Sequence, residues 1–124
     1  MATRHRQETD MPNIINIVTA RDITATGAST PVRLGKTPLL GGWGREGLLH
    51  LDAPVGGSGV VAVQGHPSTS KTAPATGDSG WATIATLNAA SPLLQEIADL
   101  PNWIRINVTT AGTGTLTATL EGIQ

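Results

Sequence analysis

The sequence lacks cysteine, phenylalanine and tyrosine altogether, and three tryptophans are its only large aromatic residues. The absence of cysteine excludes disulfide scaffolds, thiol nucleophiles, iron–sulfur centres and thiolate zinc sites. Charged residues are also scarce: 8 Lys and Arg stand against 9 Asp and Glu, which gives a net charge of −1. A chain with this balance has no broad basic surface, so we expect no nucleic-acid partner.

Long apolar runs are missing as well, since none approaches the roughly 20 residues that cross a bilayer. The first ten residues are charged and lack the apolar core of a signal peptide. We therefore expect no membrane partner and no export signal.

Threonine, by contrast, occupies 18 positions, and glycine and proline occupy 15 and 8. β-Branched side chains favour strands, while glycine and proline mark the turns between them. This composition predicts an all-β fold, an antiparallel β-sandwich that is jelly-roll-like and has about eight short strands. We expect the sandwich domain to cover residues 14–124 and the charged residues 1–13 to form a flexible N-terminal arm.

The clearest strand pattern lies at the C-terminal end of the sequence. Isoleucine and valine alternate with polar residues, including Arg105, in residues 104–109, and leucine and alanine alternate with threonine in residues 115–120. We predict that these two strands form a hairpin with one buried face and one solvent face.

Four other segments carry structural predictions. Residues 48–53 and 60–65 are predicted strands that suit a hairpin around a glycine-rich connection. Residues 35–47 contain five glycines and are predicted to form a long loop that carries Trp43. Residues 91–100 fit a helix that begins at Ser91 and Pro92, and they also fit an extended segment, which we prefer.

A catalytic site would have to start from histidine, because no cysteine exists and histidine titrates near neutral pH. His5, His50 and His66 are each predicted to be a surface histidine or a satisfied strand histidine. The Asp78 turn is interpreted as a backbone cap, with a calcium site as the less favoured alternative. No catalytic motif is found, so we predict neither an enzyme nor a cofactor.

The three tryptophans divide into two groups. Trp81 and Trp103 stand at the starts of predicted strands, and we expect them to pack in the core. Trp43 lies between glycines and beside Arg45, where it would either close one end of the sandwich or contact a partner.

Residues 14–124, most clearly those after residue 60, resemble the recurrent ending of small tailed-bacteriophage structural proteins. The resemblance rests on a Val-Gln-Gly strand end at 63–65, an Asp-x-Gly-Trp turn at 78–81, the run from Leu100 to Thr109, and a Thr-x-Gly-Thr turn with a closing Leu-Glu-Gly. Many relatives carry a basic residue where this chain has Asn102. The pattern describes strands and turns and contains no catalytic signature.

The resemblance implies a capsid decoration, or cement, protein on the outer surface of the virion. Its partner would be the major capsid protein, and it would act as a homo-oligomer, with a trimer favoured. The residues predicted to contact the shell or a neighbouring copy are Arg4, Arg6, Arg33, Trp43 and Arg45, since tryptophan and arginine are enriched in interface hot spots.

An alternative of another class is a carbohydrate-binding or receptor-binding sandwich on a phage tail. In that case Trp43 would supply a stacking platform. The scarcity of aromatic residues argues against it, because sugar-binding faces usually combine several of them.

Overall fold

The computed structural model describes residues 14–34, 43–52, 58–88 and 93–121, and every regular element in these ranges is a β-strand. The predicted arm at 1–13, including Arg4 and Arg6, lies outside the described residues. The nine strands are β1 (Ile14–Asp22), β2 (Gly27–Ala28), β3 (Val32–Arg33), β4 (Trp43–Asp52), β5 (Val60–His66), β6 (Ala82–Asn88), β7 (Leu93–Pro101), β8 (Trp103–Thr110) and β9 (Thr115–Glu121).

Two antiparallel sheets account for all nine strands. Sheet A has four strands in the order β1, β9, β4, β7. Sheet B has the order β2, β8, β5, β6, and β3 also pairs with β8. The prediction of an all-β, antiparallel fold is therefore confirmed, with nine strands where about eight were expected.

The core is formed by the apolar residues that alternate along both sheets. Sheet A contributes leucines of β4, β7 and β9, and sheet B contributes aliphatic residues of β5, β6 and β8. The largest side chains with no solvent exposure or almost none are Ile23, Leu34, Leu49, Leu51, Leu100, Ile104, Ile106, Leu116 and Leu120. No tryptophan belongs to this cluster, so the core is built from aliphatic residues alone within the described ranges.

Both predicted hairpins are wrong. β4 belongs to sheet A and β5 to sheet B, and the chain likewise crosses from sheet B to sheet A between β8 and β9. The alternation identified the buried faces of β8 and β9 correctly, because Ile104, Ile106 and Val108 on β8 and Leu116, Ala118 and Leu120 on β9 are buried. It could not indicate whether two apolar faces meet side by side in one sheet or across the core from opposite sheets, and here they meet across the core.

The structure decides between helix and strand for residues 93–101, and it places the start of β4 earlier than predicted. Residues 93–101 are extended, because β7 pairs along its length with β4. β4 begins at Trp43, so the prediction that residues 43–47 belong to a loop is wrong. Register shifts on either side of Arg45 let this glycine-containing segment pair with β7.

One turn brings two backbone segments into close contact at the end of the sandwich. The Gly112 N–H donates to the Ile23 carbonyl at 2.8 Å, and the Ile23 N–H donates to the Gly114 carbonyl at 3.2 Å. A Cβ atom at Gly112 would overlap the Ser58 carbonyl. Only glycine leaves room for this crossing.

Candidate functional site

The outer face of sheet B is covered by the chain itself. Residues 67–81, here called the covering segment, connect β5 to β6 and lie over β8 and β5. The Asn102 side-chain amide donates to the Pro67 carbonyl at 3.2 Å, and the Trp103 indole N–H donates to the Ser70 carbonyl at 3.3 Å. Both side chains are buried. Trp103 is therefore buried, as expected, but it packs beneath the covering segment and not in the aliphatic cluster between the sheets.

Arg105 lies at the centre of this layer. Its Nε donates to Gln64 Oε1 at 2.9 Å, its Nη1 donates to the Thr76 carbonyl at 2.9 Å, and its Cζ lies 4.0 Å from the centroid of the Trp81 ring. Arg105 as a whole residue is only 5% exposed. The prediction of a solvent face on β8 is therefore wrong at this position. Burial lowers the pKa of Arg105, although a guanidinium stays protonated at ordinary pH.

Trp81 also departs from the core position predicted for it. It is half-buried and directly precedes β6, and its indole N–H donates to the Ala75 carbonyl at 2.9 Å. One ring face receives the Arg105 guanidinium, a cation–π contact. The His66 ring meets it edge-on at 5.1 Å.

His66 and Asp78 form the one histidine–carboxylate pair of the described residues. His66 Nε2 lies 2.9 Å from Asp78 Oδ1, and His66 Nδ1 accepts the Ser68 backbone N–H at 3.0 Å. Because Nδ1 accepts, the neutral ring carries its proton on Nε2 and donates it to Asp78. This hydrogen bond, followed by the one from the Gly80 N–H at 2.8 Å, lowers the pKa of Asp78.

This pair serves to hold the covering segment in place. Both ring nitrogens of His66 are engaged, so neither has a free lone pair with which to accept a proton from a nucleophile. The prediction of a satisfied histidine is confirmed for His66, and that of a backbone-capping carboxylate is confirmed for Asp78. In the described parts of the chain, no three His, Asp or Glu side chains converge on a point where a metal ion could sit.

The outer face of sheet A has a different character. One rung of directly paired residues runs across all four strands through Ile14, Glu121, Leu48 and Glu96. The next rung contains Asn16, Thr119, His50 and Leu94. Residues of both rungs, with Leu93, line a shallow groove of about 500 Å³. Ile14 and Leu94 are the two exposed large apolar side chains of the described residues, at 61% and 66%.

The predicted contact residues are distributed over both sheets. Arg33 lies on β3, half-buried and paired across the sheet with Trp103 of β8. Trp43 and Arg45 are placed on β4 by backbone pairing, and their side chains, like Arg4 and Arg6, lie outside the described residues. The fold therefore separates Arg33, in sheet B, from the strand that carries Trp43 and Arg45.

Sequence reasoning missed the groove of sheet A, although a signal for it was present. The doublets Ile14-Ile15, Leu48-Leu49 and Leu93-Leu94 each place two large apolar residues next to one another on a strand. Successive side chains on a strand point to opposite faces, so one member of each doublet has to point away from the core. Three such doublets on three strands of one sheet indicate an apolar outer face.

No helix that could span a membrane occurs in the parts of the chain that the structure describes. Comparison of the chain with protein-family models, with curated proteins and with solved structures found no match. The resemblance to phage structural proteins therefore remains a prediction.

Proposed function

We propose that the chain is a structural virion protein that binds the outer surface of a tailed-phage capsid and stabilises it. Its partner is then the major capsid protein, and a homotrimer is the favoured assembly. Each copy contributes a modest interface, and trimerisation raises the effective concentration of the remaining contacts once one copy is bound.

One observation carries this proposal: the polar residues of the phage-like pattern are used inside the fold. Asp78 is hydrogen-bonded to His66 and to the Gly80 N–H, and Arg105 is engaged by Gln64, Thr76 and Trp81. Polar residues that hold the covering segment against sheet B suit a protein whose function is to present a surface.

The test is a binding experiment with decoration-free heads from the phage that encodes this chain. The purified chain is mixed with the heads, and bound copies are counted relative to the major capsid protein. We expect saturation at a fixed ratio of copies to capsid subunits, and heads that withstand a higher temperature when saturated. Absence of binding, or a few copies per particle confined to the tail, would contradict the proposal.

Two changes test the contact residues predicted in the arm and on β4. Deletion of residues 1–13 and the substitution Trp43→Ala are each expected to weaken binding to the heads, because arginine and tryptophan contribute strongly to interfaces. Lys71→Ala is a suitable control, since Lys71 is exposed on the covering segment. Unchanged binding by both variants would remove these residues from the interface.

The carbohydrate-binding alternative is not favoured by any contact of the described residues. Arg105 covers one face of the half-buried Trp81 ring, and Trp103 is buried. A glycan array with the intact chain would identify a ligand if Trp43 alone supplied such a platform.

A further inference from the structure

We propose that the outer face of sheet A is the docking face, and that the shell surface it meets presents Lys or Arg side chains around apolar ones. This inference rests on the proposed function and adds to it the orientation of the protein and the chemistry of its partner.

The two outer faces of the sandwich are not equivalent. In sheet B the covering segment lies over part of the outer face and buries Asn102, Trp103 and Arg105 beneath it, while Thr86 on β6 stays exposed. In sheet A the corresponding positions on β4 and β7 include the exposed residues His50, Leu94 and Glu96. Sheet A is thus the face that the described chain leaves open.

The apolar part of this face is continuous. Ile14 on β1, Leu48 on β4 and Leu94 on β7 line the same groove, which spans the sheet from one edge strand to the other. Exposed apolar side chains that are gathered in one groove, rather than scattered singly, mark a surface that another molecule covers.

The charged part of the face specifies the partner. Glu121 lies between Ile14 and Leu48 in one rung, and Glu96 follows Leu48 on the other side. Neither of the two rungs contains Lys or Arg. A partner that covers the apolar residues also desolvates these carboxylates, which is favourable only when it supplies cations at the same places.

Charge also argues against two other occupants of the groove, a second copy of the chain and the N-terminal arm. A second copy that bound through the same face would bring Glu96 and Glu121 close to the carboxylates of its partner, and like charges facing each other oppose association. The N-terminal arm supplies Arg4 and Arg6 but adds Glu8 and Asp10 close to them, so its charge complements the face poorly.

Two of the predicted contact residues, Trp43 and Arg45, belong to the sheet that carries the groove, whereas Arg33 lies in sheet B. The chain enters sheet A at Ile14 directly from residues 1–13, and β4 of the same sheet carries Trp43 and Arg45.

The experiment compares substitutions on the two sheets in binding to decoration-free heads. Leu94→Asp removes an exposed apolar side chain and Glu96→Lys reverses an exposed charge, and we expect each to weaken binding about tenfold or more. The matched controls are Thr86→Asp and Thr86→Lys, which introduce the same groups at an exposed position of β6 in sheet B and are expected to bind like wild type. Glu96→Gln, which keeps the shape of the side chain, is expected to weaken binding less than Glu96→Lys.

Each outcome bears on the inference. If both sheet A variants bind like the wild type, or if the sheet B variants lose binding, the inference is overturned. The proposed function stands in either case. Failure of the wild type to bind overturns both. A lower oligomer mass for Leu94→Asp in light scattering would assign the groove to a second copy, and stronger binding after deletion of residues 1–13 would assign it to the arm; either result overturns the inference.

Discussion

At the scale of single residues, Arg105 combines burial with charge. Its guanidinium makes two hydrogen bonds, one to Gln64 and one to the Thr76 carbonyl, and stacks on Trp81. Hydrogen bonds that involve a charged group are stronger than neutral ones, and removing one partner leaves the other buried without compensation. Arg105 therefore ties β8, β5 and the covering segment into one unit.

Arg105→Ala is expected to lower the free energy of unfolding by about 3 kcal/mol, because two hydrogen bonds and a cation–π contact are lost together. Arg105→Lys keeps the charge but lacks the forked geometry, so a smaller loss is expected. Urea unfolding followed by tryptophan fluorescence measures both. Equal stability of Arg105→Ala and the wild type would mean that the covering segment is held by other contacts.

Asp78 links the stability of the covering segment to pH. Its pKa is lowered in the folded state by His66 and the Gly80 N–H, so the ionised carboxylate stabilises the fold above the unfolded pKa of about 3.9. This contribution is lost as the pH falls through the folded-state pKa. The pKa of Asp22 is lowered by the Thr24 N–H and hydroxyl. The stability that Asp22 contributes is therefore also lost as the pH falls.

Asp78→Asn tests this linkage. We expect the variant to be less stable than the wild type at neutral pH, and the difference in urea midpoint to shrink as the pH falls below about 4, where the wild-type carboxylate also becomes neutral. Asp22→Asn measured in parallel separates the Asp78 contribution from the general loss of stability in acid. A difference that stays constant with pH would show that charge plays no part.

Some of these residue roles could be predicted from the sequence and others could not. The Asp-x-Gly turn identified Asp78 as a cap, because that role depends on neighbours two residues away. The burial of Arg105 depends on Thr76 and Trp81, which lie more than twenty residues away in the sequence. The alternation of apolar and polar residues along β8 carries no information about a distant segment that folds over the outer face of the strand.

At the scale of elements, the crossing of residues 58–59 over the turn at 111–112 depends on backbone proximity. Gly59 adopts a φ of 103°, and a Cβ there would lie 2.8 Å from the Thr110 carbonyl oxygen. Gly112 faces the Ser58 carbonyl in the same crossing. Side chains at these positions would push the entry to β5 away from the turn between β8 and β9.

Gly112→Ala is therefore expected to lower the free energy of unfolding by about 2 kcal/mol or more, as overpacking does at other tight contacts. Gly77→Ala is the matched control, because a Cβ at Gly77 meets nothing within 4 Å. Its stability should equal that of the wild type or exceed it slightly, since alanine restricts the unfolded chain. Thermal unfolding of the two variants side by side measures the difference in their stability. Equal losses of stability would contradict the close contact described at Gly112.

Element identity was easier to predict than pairing. The predicted strands at 48–53, 60–65, 104–109 and 115–120 correspond to β4, β5, β8 and β9. The start of β4 at Trp43 could not be predicted, because glycines at 44 and 47 weaken a strand that is held only by its register with β7. Pairing depends on long-range contacts that local patterns do not contain.

At the scale of the whole molecule, β9 holds sheet A together. It lies between β1 and β4, pairs with both, and contributes Leu116, Ala118 and Leu120 to the core. β1 has no other strand partner among the described residues. The last strand in the described chain therefore secures the first.

A chain shortened after Gly114 is expected not to fold. It loses β9 with three buried aliphatic side chains, and the cost of removing them is comparable with the roughly 5–15 kcal/mol that stabilises a typical domain. A chain shortened after Glu121 keeps every pairing of β9 and is the control. Far-UV circular dichroism and the cooperativity of urea unfolding distinguish the two, and a cooperative transition in the shorter chain would contradict this account.

The groove of sheet A belongs to this scale too, since it requires β1, β4 and β7 to be brought into one sheet. Apolar doublets predict that each of these strands has an exposed apolar residue. Only the strand order places Ile14, Leu48 and Leu94 on the same side. The predicted contact residues were chosen by residue type, which carries no information on that order.

The pairing of Ile14 with Glu121 has a consequence for protein engineering. The first and last positions of the described sandwich lie about 5 Å apart on neighbouring strands, so a short linker could join them and allow circular permutation. New ends opened at the exposed turn of Gly77 would leave every described strand pairing in place. A guest peptide displayed at those ends would project from the sheet B side, facing away from the groove of sheet A.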